Sequence, residues 1–276
     1  MGKALLTLII VLLAAISARA EPSASAPELT LSFGDHSERF TAAQLLARPD
    51  AARITIPDDV SYRSKMVYRA VPLLSLVGEE QAQAFDTLEV RAADGFASQI
   101  PLPLVEKGAQ GGSIAWLAVE DPSAPWPPLP GKDASAGPFY LVWEHPERSG
   151  IGSELWPYRT VSITGVRAPA QRWPQMAVDR ALPADAPARQ GQAVFTMQCM
   201  PCHRMKGAGA ADVGPDLGVP MNPTRYMSPE GLRALIRDPK SVRTWPGQLM
   251  PAFDATKLSD ADLDAVIAYL SHMTER

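Results

Sequence analysis

Hydrophobic and polar residues alternate in short runs between about residues 28 and 166, which is the pattern of half-buried strands. The clearest run is Leu29–Phe33, and Asp94-Gly95 separates two later runs as a hairpin turn would. Thr41 and Gln44 have the spacing of a capping box, which predicts a short helix. Further strands are predicted at Arg53–Pro57, Lys65–Ala70, Thr87–Ala92, Phe96–Ile100, Ile114–Val119, Phe139–Trp143 and Thr160–Thr164. We therefore predict a mixed α+β, strand-rich domain at residues 28–166, with a proline-rich surface loop at 122–138.

From Arg189 onward, the hydrophobic residues recur at helical spacing. A proline- and alanine-rich segment at 167–188 precedes this region and is predicted to be a linker. One helix face holds Gly191, Val194, Phe195, Gln198 and Cys202. A second helix begins at Ser228-Pro229 and ends at Pro239; a third begins at Ser259 and buries Leu263, Val266, Ile267 and Leu270. Residues 189–276 are thus predicted to form a small all-α domain, whose thin core a large apolar cofactor would complete.

The first 20 residues have the features of a secretory signal peptide. Lys3 precedes an apolar run, Ala4–Ile16, and Ala18-Arg19-Ala20 fits a cleavage site after Ala20. A membrane anchor is the alternative, but the run is shorter than the roughly 20 residues of a spanning helix. We expect a cleaved, exported protein located in the periplasm. The net charge of -4 argues against a nucleic-acid binder, which typically has a basic patch.

The chain has only two cysteines, and both lie in the segment Cys199-Met200-Pro201-Cys202-His203. This is the attachment signature of c-type haem. Two thiols bond the two vinyl groups of one porphyrin, and the following histidine is then placed under the iron. The alternatives are a thioredoxin-like pair, a zinc site and a structural disulfide. A thioredoxin-like pair needs a surrounding βαβ pattern, which is absent here. A zinc site needs further Cys or His ligands, and the other histidines, His36, His145 and His272, are scattered along the chain.

The helical region resembles class I cytochromes c in two further segments. Gly214-Pro215-Asp216-Leu217 is similar to the family segment whose proline carbonyl accepts a hydrogen bond from the proximal histidine, which implies this role for Pro215. Leu249-Met250-Pro251-Ala252-Phe253 is similar to the segment that supplies the sixth iron ligand, which implies Met250. Met221 and Met227 are the rival methionines, whereas Met205 lies too close to the proximal side. The resemblance covers about Arg189 to Met273.

Two neighbouring residues, Arg243 and Trp245, are candidates to bond a haem propionate; packing and solvation are their ordinary roles. His203 and Met250 together would leave the iron no open position, which implies electron transfer rather than catalysis. Arg204 and Lys206 flank the motif and would either steer a redox partner or be ordinary surface charges.

The N-terminal region is similar in three short segments to the sulfite-oxidase-type molybdopterin-binding fold. The segments are Tyr68–Leu74, Leu88–Phe96 and Gly137–Val142. That family usually holds molybdenum through a cysteine, and this region has none. We therefore expect a docking or scaffold module without a metal site. The rival is an unrecognised active site, whose most plausible members are His145, Glu144, Asp94 and Trp143.

The sequence favours a periplasmic cytochrome with one covalent haem c, which passes single electrons between a donor dehydrogenase and a respiratory acceptor. No catalytic residue is assigned, and neither nucleic acid nor a membrane segment after cleavage is expected. The alternative is an oxidoreductase whose N-terminal domain acts on a small molecule and reduces its own haem. A haem-based sensor, with a labile sixth ligand, is a third possibility.

Overall fold

The computed structural model describes residues 26–78 and 84–276, so the predicted signal peptide lies outside the described residues. A strand-rich N-terminal part is followed by a helical C-terminal part, as predicted. The strands are β1 Glu28–Phe33, β2 His36–Thr41, β3 Ala52–Ile56, β4 Met66–Pro72, β5 Thr87–Ala92, β6 Ala97–Pro101, β7 Ile114–Val119, β8 Phe139–Glu144 and β9 Thr160–Val166. The helices are α1 Ala42–Leu46, α2 Leu73–Val77, α3 Leu102–Glu106, α4 Pro169–Arg172, α5 Pro187–Val194, α6 Pro229–Arg237, α7 Pro239–Val242 and α8 Asp260–Thr274. None of the helices in the described ranges is long and apolar enough to cross a bilayer.

The strands form two sheets that enclose one hydrophobic core. One sheet has the order β2-β1-β9-β5-β6 and the other β3-β4-β7-β8. Nearly all neighbours are antiparallel, but β1 and β9 are parallel. Trp143, Tyr68 and Tyr140 are among the large side chains that are fully buried in this core. Because β1 pairs with β9, the two ends of the strand-rich part meet within one sheet.

Strand β2 was not predicted from the sequence. Its residues, His36 to Thr41, are mostly exposed and polar, because the strand lies at a sheet edge and buries neither face. It pairs with β1 along its whole length through the turn at Gly34-Asp35. Gly34 takes the left-handed φ of 61° that this tight turn requires. The hydrophobic alternation that reveals a half-buried strand is absent at such an edge.

Helices α5 and α8 form the centre of the C-terminal part. They cross at Gly191, where an added Cβ would lie 1.9 Å from the carbonyl oxygen of Ala265. Phe195 and Tyr269 pack beside this crossing with ring centroids 5.2 Å apart. The predicted caps are present, with Ser228 and Ser259 accepting backbone N–H bonds at the starts of α6 and α8.

The predicted linker packs against both parts of the molecule. It contains α4, and its residues Met176 and Val178 are buried in the same core as Phe195. Tyr269 donates its hydroxyl to the carbonyl of Met176 at 2.7 Å. This proline-rich segment therefore has a more ordered structure than its composition predicts.

Backbone hydrogen bonds join the two parts beside the cysteine motif. Ala97 N donates to Pro201 O at 2.9 Å, and Asp212 N donates to Gly95 O at 3.0 Å. Arg91 adds a bond from its guanidinium to Ala210 O at 2.7 Å. These bonds attach the β5–β6 hairpin to the cysteine motif, at Pro201, and to the loop that follows it, at Ala210 and Asp212.

Candidate haem site

A π-helical turn positions the two cysteines. Helix α5 ends at Val194, and Phe195–Cys199 continues with the wider π spacing, closed by Met200 N donating to Phe195 O at 2.8 Å. His203 N then donates to Cys199 O at 2.8 Å, which folds the motif into a compact loop. Such turns are frequent at functional sites because the extra residue redirects the side chains that follow.

The two cysteine sulfurs are free thiols. Burial, with the nearby charge of Glu154, raises the pKa of Cys199 to about 12. The same two causes raise the pKa of Cys202 to about 12. A reactive dithiol of the thioredoxin type needs a lowered pKa, so this environment argues against that alternative.

His203 is oriented by the backbone of the loop that follows it. Its Nδ1 lies 2.8 Å from the carbonyl oxygen of Pro215. A carbonyl only accepts, so Nδ1 carries the proton and Nε2 keeps its lone pair for a metal ion. Burial lowers the pKa of His203, which also favours the neutral imidazole. Gly214 permits the close approach, because a Cβ there would lie 2.6 Å from the ring.

Asp216 holds this loop in shape. Its carboxylate accepts backbone N–H bonds at 2.6–3.1 Å from Lys206, Gly207, Gly218 and Val219. Burial opposes the charge, but these donors outweigh it and keep the pKa of Asp216 below its ordinary value. The residue that follows Pro215 therefore fixes the carbonyl that orients His203.

A cavity of about 430 Å³ lies beside the motif and is lined by both parts of the chain. The helical part contributes Cys202, Val213, Leu249 and Pro251. The larger share of the wall comes from the N-terminal part, which contributes Val60, Ser61, Arg63, Ala92, Asp94, Phe96, Leu129, Pro130, Lys132, Ser153, Glu154, Trp156, Pro157 and Tyr158. Its volume is in the range of pockets that enclose small molecules and cofactors.

The other site residues predicted from the sequence lie at different places relative to the cavity. Met250 is partly buried, and both of its chain neighbours line the cavity. Arg243 and Trp245 are exposed and contact each other, with the guanidinium 5.9 Å from the ring centroid. Neither they nor His203 and Pro215 belong to the cavity wall.

The four polar or aromatic candidates of the N-terminal part do not converge on one site. Trp143 is buried and donates to Leu155 O at 2.8 Å, and Glu144 accepts from Trp116 at 2.8 Å. His145 is on the surface beside Glu147. Asp94 alone lines the cavity. Within residues 26–78 and 84–276, no three His, Cys, Asp or Glu side chains are grouped to hold a metal ion.

Glu154 and Trp156 were not predicted from the sequence. They lie more than 40 residues before the motif and belong to the other part of the chain. Both line the cavity that Cys202 borders. Burial raises the pKa of the Glu154 carboxyl, which accepts a hydrogen bond from Ser153 at 3.1 Å. No local motif distinguishes these residues, because their place at the site depends on how the two parts pack.

The residues present fit a covalently attached haem. The attachment motif contains two free thiols, and His203 has an Nε2 lone pair that could bind the iron. A cavity adjoins Cys202, and the indole nitrogen of Trp156 in its wall is buried without a hydrogen-bond partner among the described residues. A recess with a mixed apolar and charged wall and one unsatisfied donor is compatible with an apolar ring that carries polar substituents.

Comparison with known proteins agrees with this geometry. Residues 188–274 match the cytochrome c family. Among curated proteins, no match to this chain was found. The family match runs from the second residue of α5 to the end of α8. The C-terminal part of this protein is therefore a class I cytochrome c domain, which binds haem c covalently and carries electrons.

Proposed function

We propose that this protein is a periplasmic monohaem cytochrome that passes single electrons between a donor dehydrogenase and a respiratory acceptor. The observation that carries the proposal is the cysteine motif with His203 Nδ1 held 2.8 Å from Pro215 O. Cys199 and Cys202 would attach the haem, and the two cysteines of the chain suffice for one such group. When bound, the haem supplies an iron ion that changes oxidation state by one electron.

Met250 is the proposed sixth ligand. It lies partly buried between Leu249 and Pro251, which both border the cavity beside Cys202. The rivals have other environments: Met221 is 54% exposed, and Met227 packs against the small core around Leu232. A thioether ligand favours the ferrous state and raises the reduction potential. If His203 and Met250 both bind the iron, they would leave no position for a substrate, and the site would transfer electrons without binding one.

The proposed location is the periplasm, after removal of residues 1–20. The support is the signal-like pattern of Lys3, Ala4–Ile16 and Ala18-Arg19-Ala20.

Mass spectrometry of the mature, exported protein tests the proposal. We expect a mass above that of residues 21–276 by one haem, and a sulfur-to-iron charge-transfer band in the oxidised protein. Met250→Ala should abolish the band and allow carbon monoxide to bind, whereas Met221→Ala, the matched control, should leave both unchanged. A mass equal to the polypeptide alone would refute the proposal. Tight carbon monoxide binding by the unaltered protein would favour a sensor.

A second candidate function is an oxidoreductase in which the N-terminal part acts on a small molecule. One observation favours it: Asp94, a candidate from the sequence, lines the cavity that Cys202 borders. Metal and pterin analysis of the purified protein distinguishes the two functions. Stoichiometric molybdenum would support the oxidoreductase, and its absence together with a full complement of haem would support the electron carrier.

A further inference from the structure

One acid of the N-terminal part, Glu154, lies on a 3₁₀ turn that packs against the π-helical turn of the cysteine motif. The N-terminal core fixes the backbone of this turn. The carbonyl of Glu154 accepts a bond from Ser98 Oγ at 2.9 Å, and the carbonyl of the next residue accepts one from Trp143 at 2.8 Å. A Cβ added to Gly152, just before the turn, would lie 3.2 Å from Gln198 Nε2. Glu154 is therefore held in place beside the cysteine motif.

The side chain of Glu154 lies near the two sulfurs that would bond the haem. It lines the cavity that Cys202 borders. Its charge is close enough to raise the pKa of both Cys199 and Cys202. A porphyrin bonded through these sulfurs has its thioether edge next to them. Glu154 would thus lie beside that edge, in whichever direction the rest of the ring extends.

Little in the protein compensates a negative charge on Glu154. Among the described residues, its carboxylate accepts one side-chain hydrogen bond, from Ser153 Oγ at 3.1 Å, and no cationic side chain lies within 4.0 Å. Burial raises the pKa of Glu154 above its ordinary value of 4.5, although the Ser153 bond and the charge of Lys257 oppose the shift. The other ionisable side chains of the cavity wall and the motif are Arg63, Asp94, Lys132, Tyr158, Cys199 and Cys202. A partly buried acid with so few partners binds a proton more readily than an exposed one.

We infer that Glu154 couples the oxidation state of the haem to the uptake of one proton. The inference rests on the proposed function, because it requires a haem on Cys199 and Cys202. Ferric haem carries one positive charge more than ferrous haem, so a carboxylate beside it stabilises the ferric state and a neutral carboxyl does not. Glu154 therefore takes up a proton from water when an electron reaches the iron, and releases it when the electron leaves. The N-terminal part would thus make the reduction potential depend on pH.

The reduction potential of the haem-loaded protein, measured from about pH 4 to about pH 9, tests the inference. With rising pH, the potential should fall over a window above pH 4.5, where Glu154 loses its proton. The steepest fall would be tenfold in the equilibrium constant for reduction per pH unit, which is about 59 mV for one electron. Glu154→Gln cannot ionise, so it should lose this fall and have the higher potential above the window. Asp94→Asn is the control, because it removes an exposed acid of the same wall whose charge water screens, and it should keep the fall.

The comparison of variants separates Glu154 from the haem propionates, which also titrate and are common to all three proteins. Coinciding curves for Glu154→Gln and the unaltered protein, both with full haem content, would overturn the inference and leave the proposed function standing. Protein without haem would refute the function itself.

Infrared difference spectra of the unaltered protein supply a readout that needs no variant. Within the pH window, reduction should add a carboxylic-acid C=O band, because Glu154 gains a proton. Labelling the glutamates with ¹³C should shift this band, whereas a band from a haem propionate would not move. The lack of a label-sensitive band across the whole pH range would also overturn the inference.

Discussion

At the scale of single residues, the loop that orients His203 depends on one carboxylate that binds four backbone N–H groups. These donors hold the pKa of Asp216 below its ordinary value of 3.8 despite partial burial. An acid with a depressed pKa stabilises the folded state at pH values above its unfolded pKa, and this contribution disappears as the pH falls through the folded pKa. Asp216 therefore stabilises the loop at neutral pH and loses this effect only below about pH 3.8.

Asp216→Asn should lower the free energy of unfolding at pH 7 by about 1–3 kcal/mol, because an amide oxygen binds these donors less strongly. Between pH 5 and pH 3, the variant should lose less stability than the unaltered protein. Denaturant unfolding across this range measures both effects. The exposed residue Asp133 provides the control, and Asp133→Asn should match the unaltered protein. Equal pH dependence in the two proteins would contradict the role given to Asp216.

Gly191 is the residue on which the crossing of α5 and α8 depends. A Cβ there would overlap the carbonyl oxygen of Ala265 at 1.9 Å and crowd Tyr269 at 2.7 Å. Gly191→Ala should therefore cost about 3 kcal/mol or more. Gly231→Ala is the matched control in α6, where the nearest atom would be 3.5 Å away, and should change stability by less than about 1 kcal/mol. Thermal unfolding of the two variants decides whether the close approach matters.

At the scale of elements, α4 attaches the linker to β5 through a largely buried ion pair. Arg172 donates to Glu89 at 2.7 Å, and Glu89 is 7% exposed. Gln99 also donates to this carboxylate at 3.1 Å. The linker is thus held by the Arg172–Glu89 ion pair as well as by the burial of Met176. These contacts explain why the segment is ordered although its sequence has no periodic hydrophobic pattern.

Arg172→Met should destabilise the protein by about 2 kcal/mol, because the buried Glu89 charge then keeps only the Gln99 amide at 3.1 Å and, among the described cations, Arg91 at 3.7 Å. Adding Glu89→Gln should recover part of the loss. Arg39→Met breaks an exposed pair with Glu28 at 3.9 Å and should cost less than about 1 kcal/mol. Chemical denaturation of the three variants tests this order. A loss for Arg172→Met no larger than for Arg39→Met would show that the pair does not hold the linker.

At the scale of the whole molecule, the two parts differ in how much of their core the polypeptide supplies. The N-terminal part has one continuous core between two sheets. The cytochrome domain has two smaller clusters, one around Phe195 and Tyr269 and the other around Leu232 and Phe253. A bound haem would add apolar contacts to these two small clusters. It would therefore stabilise mainly the helical part of the protein.

A Cys199→Ser, Cys202→Ser variant, which cannot hold haem covalently, should lose its helical circular dichroism at a lower temperature than the haem-loaded protein. The signal of the N-terminal sheets should persist to a higher temperature. Monitoring 222 nm ellipticity beside tryptophan fluorescence measures the two parts separately. A single transition at the temperature of the haem-loaded protein would show that the cytochrome domain is stable without its cofactor.

Several elements could be predicted because their signals are local. Alternation located β1 and β3 to β9 to within a few residues, and the serine caps marked the starts of α6 and α8. Strand β2 was missed because an exposed edge strand carries no hydrophobic alternation. The short helices α2 and α3 were missed because five residues are too few to establish a helical period. The π-helical turn was missed as well, since its wider spacing breaks the helical period that the sequence suggested.

The sequence by itself indicated Cys199, Cys202 and His203 as the residues for haem attachment, because that attachment needs these residue types at this spacing within one short segment. It also indicated Pro215, whose carbonyl orients His203 from twelve residues away. Only the tertiary structure brought Trp156 and Glu154 to the same cavity, because contacts between the β5–β6 hairpin and the haem loop depend on the packing of two separate cores. Such long-range contacts leave no periodic or spaced pattern in the chain, so they become visible only when both parts are folded together.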